Sequence, residues 1–259
     1  MPLAFELAVQ DTAGIRIARE IGAARVELGQ ALALGGLTPS AATVEAALEA
    51  AGDTGPEVHV LVRPRAGGFH YDVDELDLTV RDIRHALGAG AHGVVIGCQR
   101  PDGALDRDAL AMLVDAAGGA SVTLHRAIDV TPDPVAALRV ARELGMRRVL
   151  SSGGASSAVD GLDVLRALVA EADGAIEVMA GSGVNAANVG EIAATGVDAV
   201  HFSAKRTVVS DIVGASGSVR MGSAADGVGG HEVTDADIAR AVVSALAAVL
   251  RPAGTAARP

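Results

Sequence analysis

Apolar and polar positions along this chain fall into short runs, and the same phrase feeds several of them. A helical stretch reaches a glycine, a few residues follow, and a short apolar strand begins. The phrase reads Ile21-Gly22-Ala23-Ala24-Arg25-Val26-Glu27-Leu28, then Gly90-Ala91-His92-Gly93-Val94-Val95-Ile96-Gly97. It returns at Leu144-Gly145-Met146-Arg147-Arg148-Val149-Leu150 and at Gly196-Val197-Asp198-Ala199-Val200-His201. The glycine suits a left-handed helix end, and the loop after it feeds a parallel strand. Repeated helix-glycine-strand phrases predict repeated βα modules.

The pattern places strands at 3–8, 24–28, 57–63, 92–97, 121–125, 147–151, 176–179 and 198–202. Helices fall at 11–22, 40–51, 73–89, 106–117, 133–144, 157–172, 186–195 and 234–250, with Asp11 or Thr12, Ser40, Asp106 and Asp133 as N-caps. Eight strand-helix pairs in 259 residues predict an α/β fold, a TIM (β/α)8 barrel, as a single domain over 1–250. An open doubly wound sheet is the second choice. Residues 251–259, with two Pro and one Gly, read as a disordered tail. Two long loops break the period, at 29–39 and 203–233, and suit binding loops or lids.

Polar groups arrive where strands end. In Val122-Thr123-Leu124-His125-Arg126-Ala127-Ile128-Asp129, Val122 and Leu124 face one way while Thr123 and His125 face the other. The inward parity of the other strands carries Glu6, Glu27, then His59 with Leu61, Arg63 and Arg65, and finally His201. Ligands bind at the carboxyl ends of parallel strands. Buried charges need partners, so these residues form either an internal salt-bridge network or a ligand site built on one. Glu6, Glu27, His125, Asp129 and His201 are the candidate catalytic groups. Glu27 and His125 are the candidate acid/base pair, because histidine titrates near neutrality and a carboxylate can orient it.

Two glycine loops suggest anion cradles, Ser151-Ser152-Gly153-Gly154 and Ala180-Gly181-Ser182-Gly183-Val184-Asn185, the second opening a helix. With Arg63, Arg65 and Arg126, they make Ser152, Gly153, Gly181, Ser182 and Gly183 candidate anion-binding positions for a small anionic, perhaps phosphorylated, ligand. The plain alternative is that small residues make tight βα turns.

Composition narrows the classes. Half the residues are hydrophobic but only 2% are aromatic, so Ala, Val and Leu must fill the core. A net charge of −11 argues against nucleic acid and anionic membrane surfaces. One cysteine, Cys98, allows no intrachain disulfide and fits a cytoplasmic setting. The start of the chain has no signal-peptide pattern, and no apolar run approaches the roughly 18 residues of a membrane span. Cys98 reads either as a small buried apolar residue or as a metal ligand at the mouth. His70, His85, His92 and His231 have no metal-ligand spacing and read as surface or loop residues.

In order along the chain stand Arg25-Val26-Glu27-Leu28, Gly35-Gly36-Leu37-Thr38-Pro39-Ser40, Arg63-Pro64-Arg65, His125-Arg126-Ala127-Ile128-Asp129, Arg148-Val149-Leu150-Ser151-Ser152-Gly153-Gly154 and Met179-Ala180-Gly181-Ser182-Gly183-Val184. Val200-His201-Phe202-Ser203-Ala204 and Met221-Gly222 complete the set. Over about residues 4–223 this resembles the CutC family, named for copper homeostasis. The resemblance implies a TIM barrel, a cytoplasmic location, often a homo-oligomer, and a role in copper binding. Members often carry cysteines after the first-strand glutamate and after the Val-Glu-Leu of the second strand; this chain has Ala8 and Gly29 there. It also has Ala66-Gly67-Gly68-Phe69 where many members have Gly-Gly-Asp-Phe. Cu(I) prefers soft sulfur ligands, and only Cys98 or Met179 could contribute one near the mouth.

Overall fold

The computed structural model describes residues 3–208 and 230–249. Eight parallel strands close into a barrel: β1 (Ala4–Val9), β2 (Arg25–Leu28), β3 (Glu57–Leu61), β4 (Gly93–Ile96), β5 (Ser121–Leu124), β6 (Arg148–Ser151), β7 (Glu177–Gly181) and β8 (Ala199–Phe202). β8 pairs back onto β1, with Glu6 opposite His201, so the sheet has no open edge. Around it run α1 (Thr12–Glu20), α2 (Ala41–Ala51), α3 (Val73–Gly88), α4 (Arg107–Ala116), α5 (Pro134–Glu143), α6 (Leu162–Ala172), α7 (Val189–Ala193) and α8 (Ala236–Val249). The predicted TIM barrel is the fold, and the open sheet is ruled out by closure. No helix among the described residues is long and apolar enough to cross a membrane.

Local chemistry starts the helices. The side chains of Asp11, Ser40, Asp106 and Asp133 each accept a backbone N–H of the first turn. Asp72 and Glu75 form a reciprocal capping box at α3.

The apolar core lies between barrel and helices. Leu7, Val26, Val58, Val94, Val122, Val149, Val178 and Val200 face outward onto Ile15, Val44, Ile83, Leu110, Leu138, Leu165 and Ile192. Inside the barrel the apolar set is smaller: Leu150, Met179 and Ala199 cluster together, with Ala8, Leu61 and Val95 also buried. Most of the remaining interior is polar and buried: Glu6, Arg25, Glu27, His59, Thr123 and Arg148. Deep in the barrel Glu6, Arg25, Thr123 and Arg148 are paired, whereas Glu27 Oε2 and His59 Nδ1 are not. Arg25 reaches Glu6 at 3.2 Å, and Arg148 reaches Glu177 at 2.6 Å and Thr123 at 3.2 Å. The network reading therefore describes the lower barrel.

Several boundaries differ from expectation. Strand β3 stops at Leu61, two residues short, and the 157–172 helix begins as a 3₁₀ turn over Ala158–Gly161. The predicted 186–195 helix shrinks to five residues. Asn185 and Asn188 explain that: their side chains accept the amides of Ala187 and Asn185 and hold the chain in turns instead. The 29–39 loop contains a 3₁₀ turn, Leu32–Leu34, and a bridge from Gln30 to Leu37. The 203–233 loop carries two antiparallel strands, β9 (Lys205–Val208) and β10 (His231–Thr234). Lys205, Arg206 and Thr207 offer no apolar alternation, so that hairpin was invisible in the pattern. Met221, Gly222 and the tail 251–259 lie outside the described residues.

Candidate functional site

A cavity of about 310 Å³ opens at the carboxyl ends of the strands. Of the predicted residues, Glu27, Arg63, His125, Arg126, Ser182, Gly183 and His201 line it, beside Ala8, Leu150, Val184, Phe69 and Lys205. Glu6 lies buried beneath, bonded to His201, and Gly181 backs the His201 ring. A second cavity, about 330 Å³, lies between α2 and α3 and holds none of the predicted residues.

Closely packed imidazoles require their glycines. A Cβ on Gly97 would fall 2.2 Å from Cε1 of His125, and one on Gly181 would fall 3.2 Å from Cβ of His201 and 2.6 Å from Leu150. Glycines inside strands mark such close approaches.

Three groups near the cavity floor share one electrostatic problem. His201 Nδ1 lies 2.8 Å from Glu6 Oε1, and Arg25 Nε lies 3.2 Å from Glu6 Oε2. Burial pushes the Glu6 carboxyl up, but the His201 hydrogen bond, with the charges of His201 and Arg25, outweighs it and holds Glu6 at about 2. Burial pulls the His201 imidazole down, while the bond to Glu6 and the nearby Glu27 and Glu6 charges raise it above its usual value. Glu27 has less help. Burial raises its carboxyl to about 7, eased only partly by His201 and aggravated by Glu6. Its Oε2 has no hydrogen-bond partner. Glu27 therefore sits between its acid and base forms near neutral pH.

The expected Glu27–His125 acid/base pair is corrected on this evidence. The carboxylate-imidazole pair is Glu6–His201. His125 Nδ1 accepts the backbone N–H of Ala127 at 3.1 Å, which leaves the ring proton on Nε2. Burial, together with the Arg63 charge, takes the His125 imidazole down to about 3. It is a neutral donor at physiological pH and not a base. Its ring packs on Phe69 at 4.6 Å between centroids.

The first glycine loop is indeed an anion cradle, and the protein's own Asp129 fills it. Asp129 Oδ1 accepts from Ser151 Oγ at 2.6 Å, Ser152 N at 2.9 Å and Gly154 N at 3.1 Å. Oδ2 accepts from Arg126 Nε at 2.8 Å. Asp129, Ser152 and Gly153 are therefore structural here, and Arg126 is shared between Asp129 and the cavity. The second loop lines the cavity, and among the described residues no carboxylate accepts from Ser182, Gly183 or Val184. It does not open directly into a helix, because α7 begins only at Val189.

Two arginines also differ from their predicted part. Arg63 donates to the carbonyls of Leu34, Gly36 and Gly67 at 3.1, 2.9 and 2.7 Å, tying two loops together and leaving its Nε buried without a partner. Arg65 turns away from the cavity, pairs with Glu75 and lies near the Tyr71 ring. Cys98 is buried among the outward-facing core residues and lines neither cavity; burial pushes its thiol up to about 11. The mouth-ligand reading of Cys98 is corrected.

Fold and site together define a TIM barrel whose mouth carries the Glu27 carboxyl and the His125 imidazole on the wall of one cavity. The family model described as the CutC family matches residues 3–206. A family protein CutC from Caulobacter vibrioides is 47% identical over 200 residues, covering 77% of this chain and 80% of that one. Another from Photobacterium profundum is 37% identical over 247 residues, covering 95% of this chain and all of that one. The crystal structure of the putative copper homeostasis protein CutC from Streptococcus agalactiae superposes with a TM-score of 0.74 at 30% identity, covering 78% of this chain and 98% of that chain. The chain belongs to the CutC family.

The residues present do not fit Cu(I). The one thiol is buried with a raised pKa away from the mouth. Met179 is fully buried inside the barrel, its sulfur 4.0 Å from Arg25 Nη2. One atom each of Glu6, Glu27 and His201 lie within 4.8 Å of one another. Yet both Glu6 oxygens are taken, by His201 and Arg25.

Proposed function

We propose that this CutC-family barrel is an enzyme that performs acid–base chemistry on a small anionic metabolite at its mouth. The observation carrying the reading is Glu27: a buried carboxyl poised at about 7, with an unpartnered oxygen, on the wall of the cavity. A general acid or base works best when its pKa lies near the working pH. The cavity volume, about 310 Å³, falls at the small end of ligand sites and suits a metabolite of few atoms. The Ser182–Val184 turn, with Arg126 and Lys205 on the same wall, supports an anionic group on that ligand. The single cysteine supports a cytoplasmic setting.

Thermal unfolding in inorganic phosphate, compared between the natural chain and Ser182→Asp, tests the reading. Phosphate at about 100 times its dissociation constant stabilises by roughly 2.7 kcal/mol. The variant, which puts a carboxylate into the open turn as Asp129 does in the filled one, loses that gain. Equal shifts in both proteins would remove the turn from the ligand site.

Copper handling, which the name of the streptococcal protein suggests, makes a separate expectation. With no soft-ligand site among the described residues, anaerobic Cu(I) titration against a chelator gives binding no tighter than an unrelated barrel, unchanged in Cys98→Ala. Stoichiometric binding lost in that variant would restore copper as the cargo.

A further inference from the structure

Two groups on the cavity wall are spaced to share one atom. A ring nitrogen of His201 and an oxygen of Glu27 lie within 4.8 Å of each other, and among the described residues no hydrogen bond or ion pair joins them. With no direct bond, that gap suits a bridge: two groups each about 2.8 Å from one tetrahedral oxygen stand roughly 4.6 Å apart. His201 is held for the part. Its Nδ1 lies 2.8 Å from Glu6 Oε1, and Arg25 Nε holds the other Glu6 oxygen at 3.2 Å. Gly181 backs the ring, since a Cβ there would fall 3.3 Å from Cδ2 of His201. Nε2 is therefore the nitrogen left over, on a side chain that is 12% exposed. Unlike Nε2 of His125, it is not sealed from the cavity. Of the two Glu27 oxygens only Oε2 is sealed, so Oε1 is the one open to the cavity.

Resting on the acid–base reading above, we infer that the ligand is a small anion carrying a hydroxyl group, whose oxygen donates to Glu27 and accepts from His201 Nε2–H. A hydroxyl suits this place because it both donates and accepts, whereas a carbonyl or carboxylate oxygen only accepts. Against burial, the bond to Glu6 and the charges of Glu27 and Glu6 favour the imidazole with a proton on both nitrogens. Glu27 takes the hydroxyl proton, and the O–H electron pair stays on oxygen, where Nε2–H holds the developing charge. Returning the proton restores the hydroxyl, so no oxidant, reductant or co-reactant is consumed. The anionic end of the ligand lies against the Ser182–Val184 turn, with Arg126 and Lys205 on the same wall. His201 is thus a second catalytic residue beside Glu27.

The test is calorimetric titration of the full chain with glycolate, acetate and methoxyacetate, which share a carboxylate and differ in the hydroxyl, with inorganic phosphate as a fourth anion. Glycolate is expected to bind roughly tenfold to a hundredfold tighter than acetate or methoxyacetate, the gain of a hydrogen bond to a charged partner. In His201→Phe that preference disappears and glycolate binds as acetate does. The series on the natural chain decides alone if His201→Phe does not fold. Glycolate binding no tighter than either comparison overturns the inference and leaves the gap to a water molecule, while the acid–base reading stands. A preference for glycolate that a folded His201→Phe keeps also overturns it, because His201 then takes no share of the hydroxyl. If none of the four anions binds, the inference and the acid–base reading both fall.

Discussion

The loops at 151–154 and 180–185 are twins in composition and opposites in structure. In the first, the amides of Ser152 and Gly154 point at a carboxylate that the chain itself supplies from Asp129. In the second, Ser182 and Gly183 adopt positive φ of 84° and 68°, and the turn faces an open cavity. The lesson concerns placement. A glycine turn makes an anion site available, and whatever side chain the fold sets opposite decides whether a ligand can use it. Here one site ties the loop after β5 to the loop after β6, and the other faces the open cavity.

The largest expected effect comes from emptying the filled loop. Asp129→Ala strands Arg126 and the Ser151, Ser152 and Gly154 donors, and costs about 3–5 kcal/mol in urea unfolding, as breaking a buried ion pair does. A loss below about 1 kcal/mol would mean the cradle does not depend on Asp129.

Next is Glu27 at the open side. Its folded pKa is raised from 4.5 to about 7, so its contribution to stability is fully present below pH 4.5 and is lost as pH rises through 7. Glu27→Gln removes that loss. The variant is more stable than the natural chain above pH 8 by up to about 3 kcal/mol, and nearly equal to it at pH 4. Chemical unfolding at the two pH values checks the crossover, and the opposite ordering would remove Glu27 as the poised group. A gain in stability on removing a buried acid is what a functional site built against stability produces.

The smallest effect separates the two turns by sterics. A Cβ on Gly153 would lie 2.2 Å from the Gly161 carbonyl oxygen, whereas one on Gly183 would lie 2.6 Å from the Ser157 hydroxyl, which can rotate away. Both positions have positive φ near 70°. Gly153→Ala is therefore expected to cost about 1–3 kcal/mol more than Gly183→Ala. Equal melting temperatures would refute the contrast.

Much of the barrel was legible in the chain. Eight strands, the helix N-caps at Asp11, Ser40, Asp106 and Asp133, and the inward parity of Glu6, Glu27, His125 and His201 all follow from local patterns of period two and 3.6. The β9–β10 hairpin was not legible, because its strands are charged and its pairing joins residues far apart in sequence. The short α7 was missed because Asn185 and Asn188 compete for the backbone through their own side chains.

By itself, the sequence determined which groups reach the mouth: strand parity and strand ends are local properties, so composition and order suffice. Tertiary structure alone decided what each group does there. His201 rather than Glu27 claimed Glu6, Ala127 claimed one nitrogen of His125, Asp129 claimed the first glycine loop, and Cys98 turned outward into the core. The physical reason is that proton affinity and hydrogen-bond supply depend on burial and on partners from other strands, set by closing β8 onto β1, and no window of the sequence contains that closure.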